Sequence, residues 1–232
     1  MNERIIVALD VDNLPEAKSL VKKLPKARYF KIGLQAYLEF GEKITQFLHE
    51  QNRYIFLDLK FMDIPNTVRG AVLAIMRHKP RFLTVHLLGG GEMVKAAVEA
   101  TEELASCTVL GVTVLTSLNK ANLDDFGINN SVEDTVLRLC EAGLKNGVNS
   151  FVCSPLEIDP IRERFGKSVR LVTPGIRPDW SVKGDQKRVF TPSMAMVAGA
   201  DFLVIGRPIT QHPSPQQAFD LIVDEIEYSE PD

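Results

Sequence analysis

The sequence predicts an α/β protein of the (β/α)8, or TIM, barrel class, folded as one domain over residues 1–232. Three observations lead there. Eight short runs of buried-strand character recur along the whole chain, the intervals between them carry apolar residues at helical spacing, and 232 residues fill one large α/β domain but not two. Eight such strand-helix units are what this barrel requires. A doubly wound open sheet is the nearest alternative.

In chain order the expected strands cover residues 5–9, 29–32, 54–59, 82–87, 108–115, 150–154, 169–173 and 202–205. Helical spacing appears over 15–24, 41–49, 68–77, 93–104 and 132–145. The first strand leads into Val7-Ala8-Leu9-Asp10-Val11-Asp12, which has no glycine and so lacks the Gly-rich turn of a dinucleotide fold. That weakens the open-sheet alternative. No P-loop, linker or sequence repeat interrupts the pattern, and the one low-complexity feature is the turn Gly89-Gly90-Gly91.

A net charge of −3 argues against a nucleic-acid partner, so any phosphate recognition must be local. No apolar run reaches membrane-spanning length. Met1-Asn2-Glu3-Arg4 runs into the first strand without the basic and apolar regions of a signal peptide, so the cytoplasm is the expected location. Cys107, Cys140 and Cys153 are odd in number and widely spaced, which indicates free thiols rather than a disulfide framework or a zinc site. The four histidines have no metal-ligand spacing either. His86 ends a strand, but no proton-transfer partner for it is evident and a structural role is expected.

Chemistry gathers in Asp58-Leu59-Lys60-Phe61-Met62-Asp63-Ile64-Pro65-Asn66-Thr67, where a buried strand meets a helix. Alternation along a strand puts Asp58 and Lys60 on one face, Pro65 stops the strand, and Asn66 is available to cap the following helix. Asp63 then falls in a short turn. In a barrel the carboxyl ends of the strands form the catalytic face. Asp10, Lys31, Asp58 with Lys60, His86, Thr116 with Ser117, Ser154, Arg177 and Arg207 follow one another along those ends. Gly175-Ile176-Arg177 and Gly206-Arg207 come after the seventh and eighth strands, the usual phosphate position, where glycine admits close backbone approach and arginine grips oxygens with a fork. A phosphorylated small molecule is the expected substrate class. Residues 179–188, with Gly184, Asp185 and Gln186, are long and polar enough to form a lid.

These residues resemble one family through the whole chain, the orotidine 5'-phosphate decarboxylases. The signature is Asp-x-Lys-x-x-Asp-Ile-Pro-Asn-Thr at 58–67. Supporting it are Ala8-Leu9-Asp10, Lys31-Ile32-Gly33, Thr84-Val85-His86, Leu115-Thr116-Ser117, Thr173-Pro174-Gly175-Ile176-Arg177-Pro178, Asp185-Gln186-Lys187-Arg188 and Gly206-Arg207-Pro208. Met62 stands where many relatives carry histidine, outside the charged set. The resemblance implies cofactor-independent decarboxylation of orotidine 5'-phosphate to uridine 5'-phosphate, with no metal. It implies Lys60 as proton donor, Lys31, Asp58 and Asp63 completing an alternating charge network, and Asp10 with Lys31 on the ribose. Thr116 and Ser117 would meet the pyrimidine, and Gln186, Gly206 and Arg207 the phosphate, with Arg177 nearby. Asp63 and Thr67, with Ile64 between them, would reach the site of a second subunit in a homodimer.

Other activities are weighed against this one. A magnesium-dependent sugar-phosphate decarboxylase or aldolase of a related barrel would need an acidic metal ligand where Lys31 stands, and an ammonium suits a divalent cation badly. A Schiff-base Lys60 is disfavoured by its flanking carboxylates, which hold the amine protonated. A non-catalytic nucleotide-binding barrel stays open, since sequence alone does not reveal turnover.

Overall fold

The computed structural model describes residues 2–102, 107–181 and 190–229. Its eight strands are β1 (Ile5–Ala8), β2 (Tyr29–Gly33), β3 (Tyr54–Phe61), β4 (Phe82–His86), β5 (Thr108–Val112), β6 (Ser150–Val152), β7 (Arg170–Pro174) and β8 (Phe202–Ile205). They close into a barrel in sequence order, as the strand-helix alternation predicts, and the open sheet is set aside. The helices are α1 (Leu14–Lys22), α2 (Leu34–Glu50), α3 (Pro65–Ile75), α4 (Gly91–Glu102), α5 (Lys120–Asp125), α6 (Val132–Lys145), α7 (Ile158–Phe165), α8 (Pro192–Ala198), α9 (Arg207–Thr210) and α10 (Pro215–Glu227).

The chain divides into two compact units, Met1–Asp58 with Thr173–Asp232, and Leu59–Val172. In the first, β1 runs parallel to β2 on one side and β8 on the other, with Val7 opposite both Phe30 and Ile205. Ile5, Ile6, Val7, Phe30, Ile32, Leu203 and Phe219 are fully buried. Each such side chain contributes about 1.5–3 kcal/mol through burial. The Arg4 guanidinium fixes the bottom of β1 by donating to the carbonyls of Ala200 at 3.0 Å and Asp201 at 3.2 Å. In the second unit β4, β5, β6 and β7 pair in parallel, and Leu83, Val85, Leu110, Phe151 and Leu171 are fully buried. Strands covered on both faces read as continuous apolar runs, which is why β1 and β4 are buried at every position. Thr84 and His86 are the polar exceptions in β4.

Two local details differ from expectation. Helix α2 begins at Leu34, seven residues before the periodic stretch, and breaks its helical geometry at Phe40, so the sequence pattern marks only the part after the kink. Helix α3 is capped by Ile64 and not by Asn66. Pro65 takes the first helical position, where its fixed φ fits and its missing N–H is not required. That moves the boundary two residues earlier than a side-chain cap at Asn66 would. The end of the expected helix at Leu104 lies outside the described residues.

Candidate active site

At the ends of the first three strands, three charged side chains meet. The Lys31 ammonium on β2 lies 3.1 Å from Asp10 Oδ1 and 3.6 Å from Asp58 Oδ2 on β3. Lys31 and Asp58 retain only 11% and 14% of their side-chain exposure, whereas Asp10 retains 63%. The strong member of this set is therefore Lys31–Asp58, because water screens Asp10. Opposite charges about 4 Å apart in a partly screened site attract by about 4 kcal/mol before desolvation is counted. The backbone supports the arrangement: Leu9 N–H donates to Lys31 O at 2.9 Å, tying the end of β1 to β2. Gly33 leaves room for it, since a β-carbon there would stand 3.2 Å from Lys31 Nζ and 3.4 Å from Asp10 Oδ1.

Lys60 follows two residues after Asp58 on β3, yet simple alternation does not describe it. Its φ is 49°, in the left-handed region. For a residue with a β-carbon that conformation costs about 1–3 kcal/mol, and such residues cluster at functional sites. The pleat that would set Asp58 and Lys60 on one face is thus not continued through Lys60. The Lys60 N–H donates to the Thr84 hydroxyl on β4 at 2.8 Å. Two residues along β4, His86 accepts from Leu88 N–H through Nδ1 at 3.4 Å. Burial first, and the Lys60 charge second, push the His86 imidazole below its ordinary pKa. A neutral ring that accepts at Nδ1 carries its proton on Nε2.

Beyond β3, Asp63 sits in a bend and accepts from Ile64 N–H at 2.6 Å. Residues 62–67 are exposed without a break. Thr116 and Ser117 form the exposed corner of a turn closed by Leu118 N–H on Leu115 O at 2.8 Å, past the end of β5. β5 is therefore shorter than the 108–115 run suggests.

After β7 and β8 the two arginines come together. Arg177, which is buried, and Arg207, the first residue of α9, line one cavity of about 330 Å³ with Trp180, Ser181, Gln211 and His212. Trp180 meets His212 edge-on, with ring centroids 5.7 Å apart. Arg177 N–H donates to Phe190 O at 3.0 Å, which anchors the chain on the far side of residues 182–189. Gly206 packs where a β-carbon would stand 3.5 Å from Ala8 Cβ and 3.8 Å from Asp10 Oδ2. Residues 182–188 of the expected lid, Gly184, Asp185 and Gln186 among them, lie outside the described residues.

Among the described residues, no group of three or more His, Cys, Asp or Glu side chains is placed to hold a metal ion. Nor is any helix there long and apolar enough to cross a membrane. None of the three cysteines forms a disulfide, and Cys140 and Cys153 are buried and Cys107 partly so. Burial pushes the Cys107 and Cys140 thiols up to about 12, so neither is poised as a nucleophile.

Residues 3–222 match the family model described as the orotidine 5'-phosphate decarboxylase / HUMPS family. The chain belongs to that family. It is 43% identical over 232 residues to an orotidine 5'-phosphate decarboxylase of Heliobacterium modesticaldum, covering 97% of this chain and 96% of that protein. It is 39% identical over 226 residues to one from Synechocystis, covering 97% and 98%. The crystal structure of orotidine 5'-phosphate decarboxylase from Lactobacillus acidophilus superposes with a TM-score of 0.85 at 33% identity, over 97% of this chain and 99% of that one.

Of the residues singled out by the sequence, Asp10, Lys31 and Asp58 come together, and Arg177 and Arg207 share a cavity. Thr84, which accepts from Lys60 N–H, is not singled out by the sequence as a residue of its own. Inside a β-branched strand it looks like packing, and its hydrogen bond to the next strand leaves no trace in composition.

Proposed function

We propose that this chain is a carboxy-lyase that converts orotidine 5'-phosphate to uridine 5'-phosphate and CO2 in pyrimidine nucleotide biosynthesis, without cofactor or metal. The observation that carries the reading is Lys31 seated between Asp10 and Asp58. A cation at the end of the second strand, countered by two carboxylates, occupies the position where a related barrel would need an acidic metal ligand. The arrangement suits a reaction that needs fixed charge and no Lewis acid.

Loss of CO2 from C6 of the pyrimidine leaves an electron pair in the plane of the ring, where the ring cannot delocalise it. Stabilisation must come from charges organised in advance. Lys60 is the group for this: its ammonium faces the developing carbanion and then gives it a proton. Asp58 lies toward the departing carboxylate, and Asp63 and Lys31 complete the alternating charges. Asp10 and Lys31 hold ribose hydroxyls, and Thr116 and Ser117 meet the base. Arg177, Gln186, Gly206 and Arg207 take the phosphate, whose binding energy helps to organise the site. The 330 Å³ cavity between the two arginines supports that assignment.

The acting form is a cytoplasmic homodimer of single-domain subunits, with Asp63, Ile64 and Thr67 lent to the neighbouring site. Supporting this, Met62 and Ile64, which flank Asp63 in sequence, expose 55% and 68% of their surface. Sedimentation of Ile64→Asp would show a monomer if the interface is there.

The deciding experiment follows the absorbance of orotidine 5'-phosphate on adding enzyme. Loss of the substrate signal, abolished by Lys60→Ala and unaffected by EDTA, is the expected result. A stable signal with wild-type protein overturns the reading.

A further inference from the structure

Among the described residues, three without a glycine's freedom adopt positive φ: Asn52, Lys60 and Lys79. Asn52 follows the end of α2, and Lys79 ends the turn after α3. Both are loop positions, where a left-handed residue simply reverses the chain. Lys60 alone lies within a strand. Its neighbours in β3 prefer extended backbone, and lysine offers no local hydrogen bond of the kind that lets asparagine tolerate this region. Something outside β3 must therefore hold the conformation.

The holding group is on β4. A left-handed residue at a strand end turns its N–H away from the ladder, and here the Thr84 hydroxyl oxygen receives that proton at 2.8 Å. Thr84 is fully buried, and its backbone is pinned by β4 in register with Leu110 of β5. Its branched β-carbon restricts the hydroxyl to few rotamers, so the oxygen is a fixed point and not an adaptable acceptor. Lysine itself is the opposite: a long side chain whose ammonium position depends on the direction in which its Cα–Cβ bond leaves the backbone. Residue 60 set at φ 49° aims that bond in a direction that extended backbone would not. His86 lies on the same face of β4 as Thr84, and the Lys60 charge adds to burial in holding its imidazole below the ordinary pKa.

We propose that Thr84 is a positioning residue for the reaction, its hydroxyl holding the Lys60 backbone left-handed and thereby setting where the ammonium meets the substrate. This rests on Lys60 being the proton donor of the proposed decarboxylase. In this role Thr84 acts through Lys60, whose N–H its hydroxyl receives.

Thr84→Val removes the acceptor at constant shape, and Thr84→Ser keeps the acceptor while losing a methyl group. In full-length protein, Thr84→Val should lower kcat for orotidine 5'-phosphate roughly 10- to 100-fold while KM stays within about threefold, because misplacement of a reacting group by less than an ångström acts on the transition state. Thr84→Ser should keep kcat within about threefold of wild type, since the same oxygen remains. Amide hydrogen exchange followed by NMR supplies a readout independent of turnover: the Lys60 N–H should lose protection in Thr84→Val and keep it in Thr84→Ser, with β5 unchanged in both. If Thr84→Val does not fold, the serine variant decides, and a collapse of its kcat counts against the proposal. An unprotected Lys60 amide in Thr84→Val with wild-type kcat overturns it, as does equal loss in both variants. Failure of the wild-type enzyme to consume orotidine 5'-phosphate would defeat the proposed function instead, and would leave the amide result to report on the hydrogen bond by itself.

Discussion

Asp58 and Glu157 are both carboxyl groups near the ends of barrel strands, and both are largely withdrawn from water: Asp58 keeps 14% of its side-chain exposure, and Glu157 keeps 8% of its exposure as a whole residue. Their surroundings are opposite. Asp58 faces the Lys31 ammonium at 3.6 Å. Glu157 closes a capping box after β6, accepting from Ser154 N–H at 2.8 Å, and among its described contacts it has no cation. Burial therefore drives the Glu157 carboxyl up to about 7, with the Ser154 hydrogen bond opposing only in part. Withdrawal from solvent thus does not by itself decide what a carboxyl does. Where a lysine faces it, the group belongs to a charge network; where only a backbone amide does, it titrates near neutrality and serves as a cap.

Several variants break or sharpen this contrast. The largest effect is expected from Lys60→Ala, which removes the proton donor and should lower kcat roughly 10,000-fold, measured by single-turnover decarboxylation. Lys31→Ala comes next, since it removes the ammonium that Asp58 faces at 3.6 Å. It should cost about 1–3 kcal/mol in urea unfolding and lower kcat/KM roughly 100-fold. Glu157→Gln tests the other region through pH. Its folded-state value of about 7 lies above the ordinary 4.5, so between those values the native protein binds more protons than the unfolded chain. The contribution of Glu157 to stability is then greatest below pH 4.5, falls as pH rises through about 7, and levels off above. Between pH 5 and 8 the wild type should lose about 1–3 kcal/mol relative to Glu157→Gln, with activity unchanged. The smallest effect belongs to Asp10→Asn, whose pair with Lys31 is exposed. Stability should move by less than about 0.5 kcal/mol, and any loss should appear in KM.

How far the sequence reveals all this depends on the kind of interaction. The barrel is legible because strands buried on both faces must be continuously apolar and because helices repeat between them. Asp10, Lys31 and Asp58 are legible because charges at strand ends of a barrel converge, whatever the detailed backbone. Lys60 is legible as chemistry but not as geometry: nothing in Leu59-Lys60-Phe61 announces a left-handed residue, since the usual markers, glycine and asparagine, are absent. Thr84 is invisible for the matching reason, a hydroxyl in a β-branched run. The Ile64 cap eludes a reading that looks for polar caps, because Pro65 does part of the work through φ alone.

Gly33 gives the charge network a mechanical side. Its φ of −79° is open to any residue, so nothing in the backbone demands glycine there. The demand comes from Lys31 Nζ, 3.2 Å from where a methyl group would be. A neutral methyl at that position would displace a cation by a few tenths of an ångström against its carboxylates. The site can therefore be detuned by a substitution that alters no charge and no hydrogen-bonding group, and a survey of variants sorted by charge alone would pass over it.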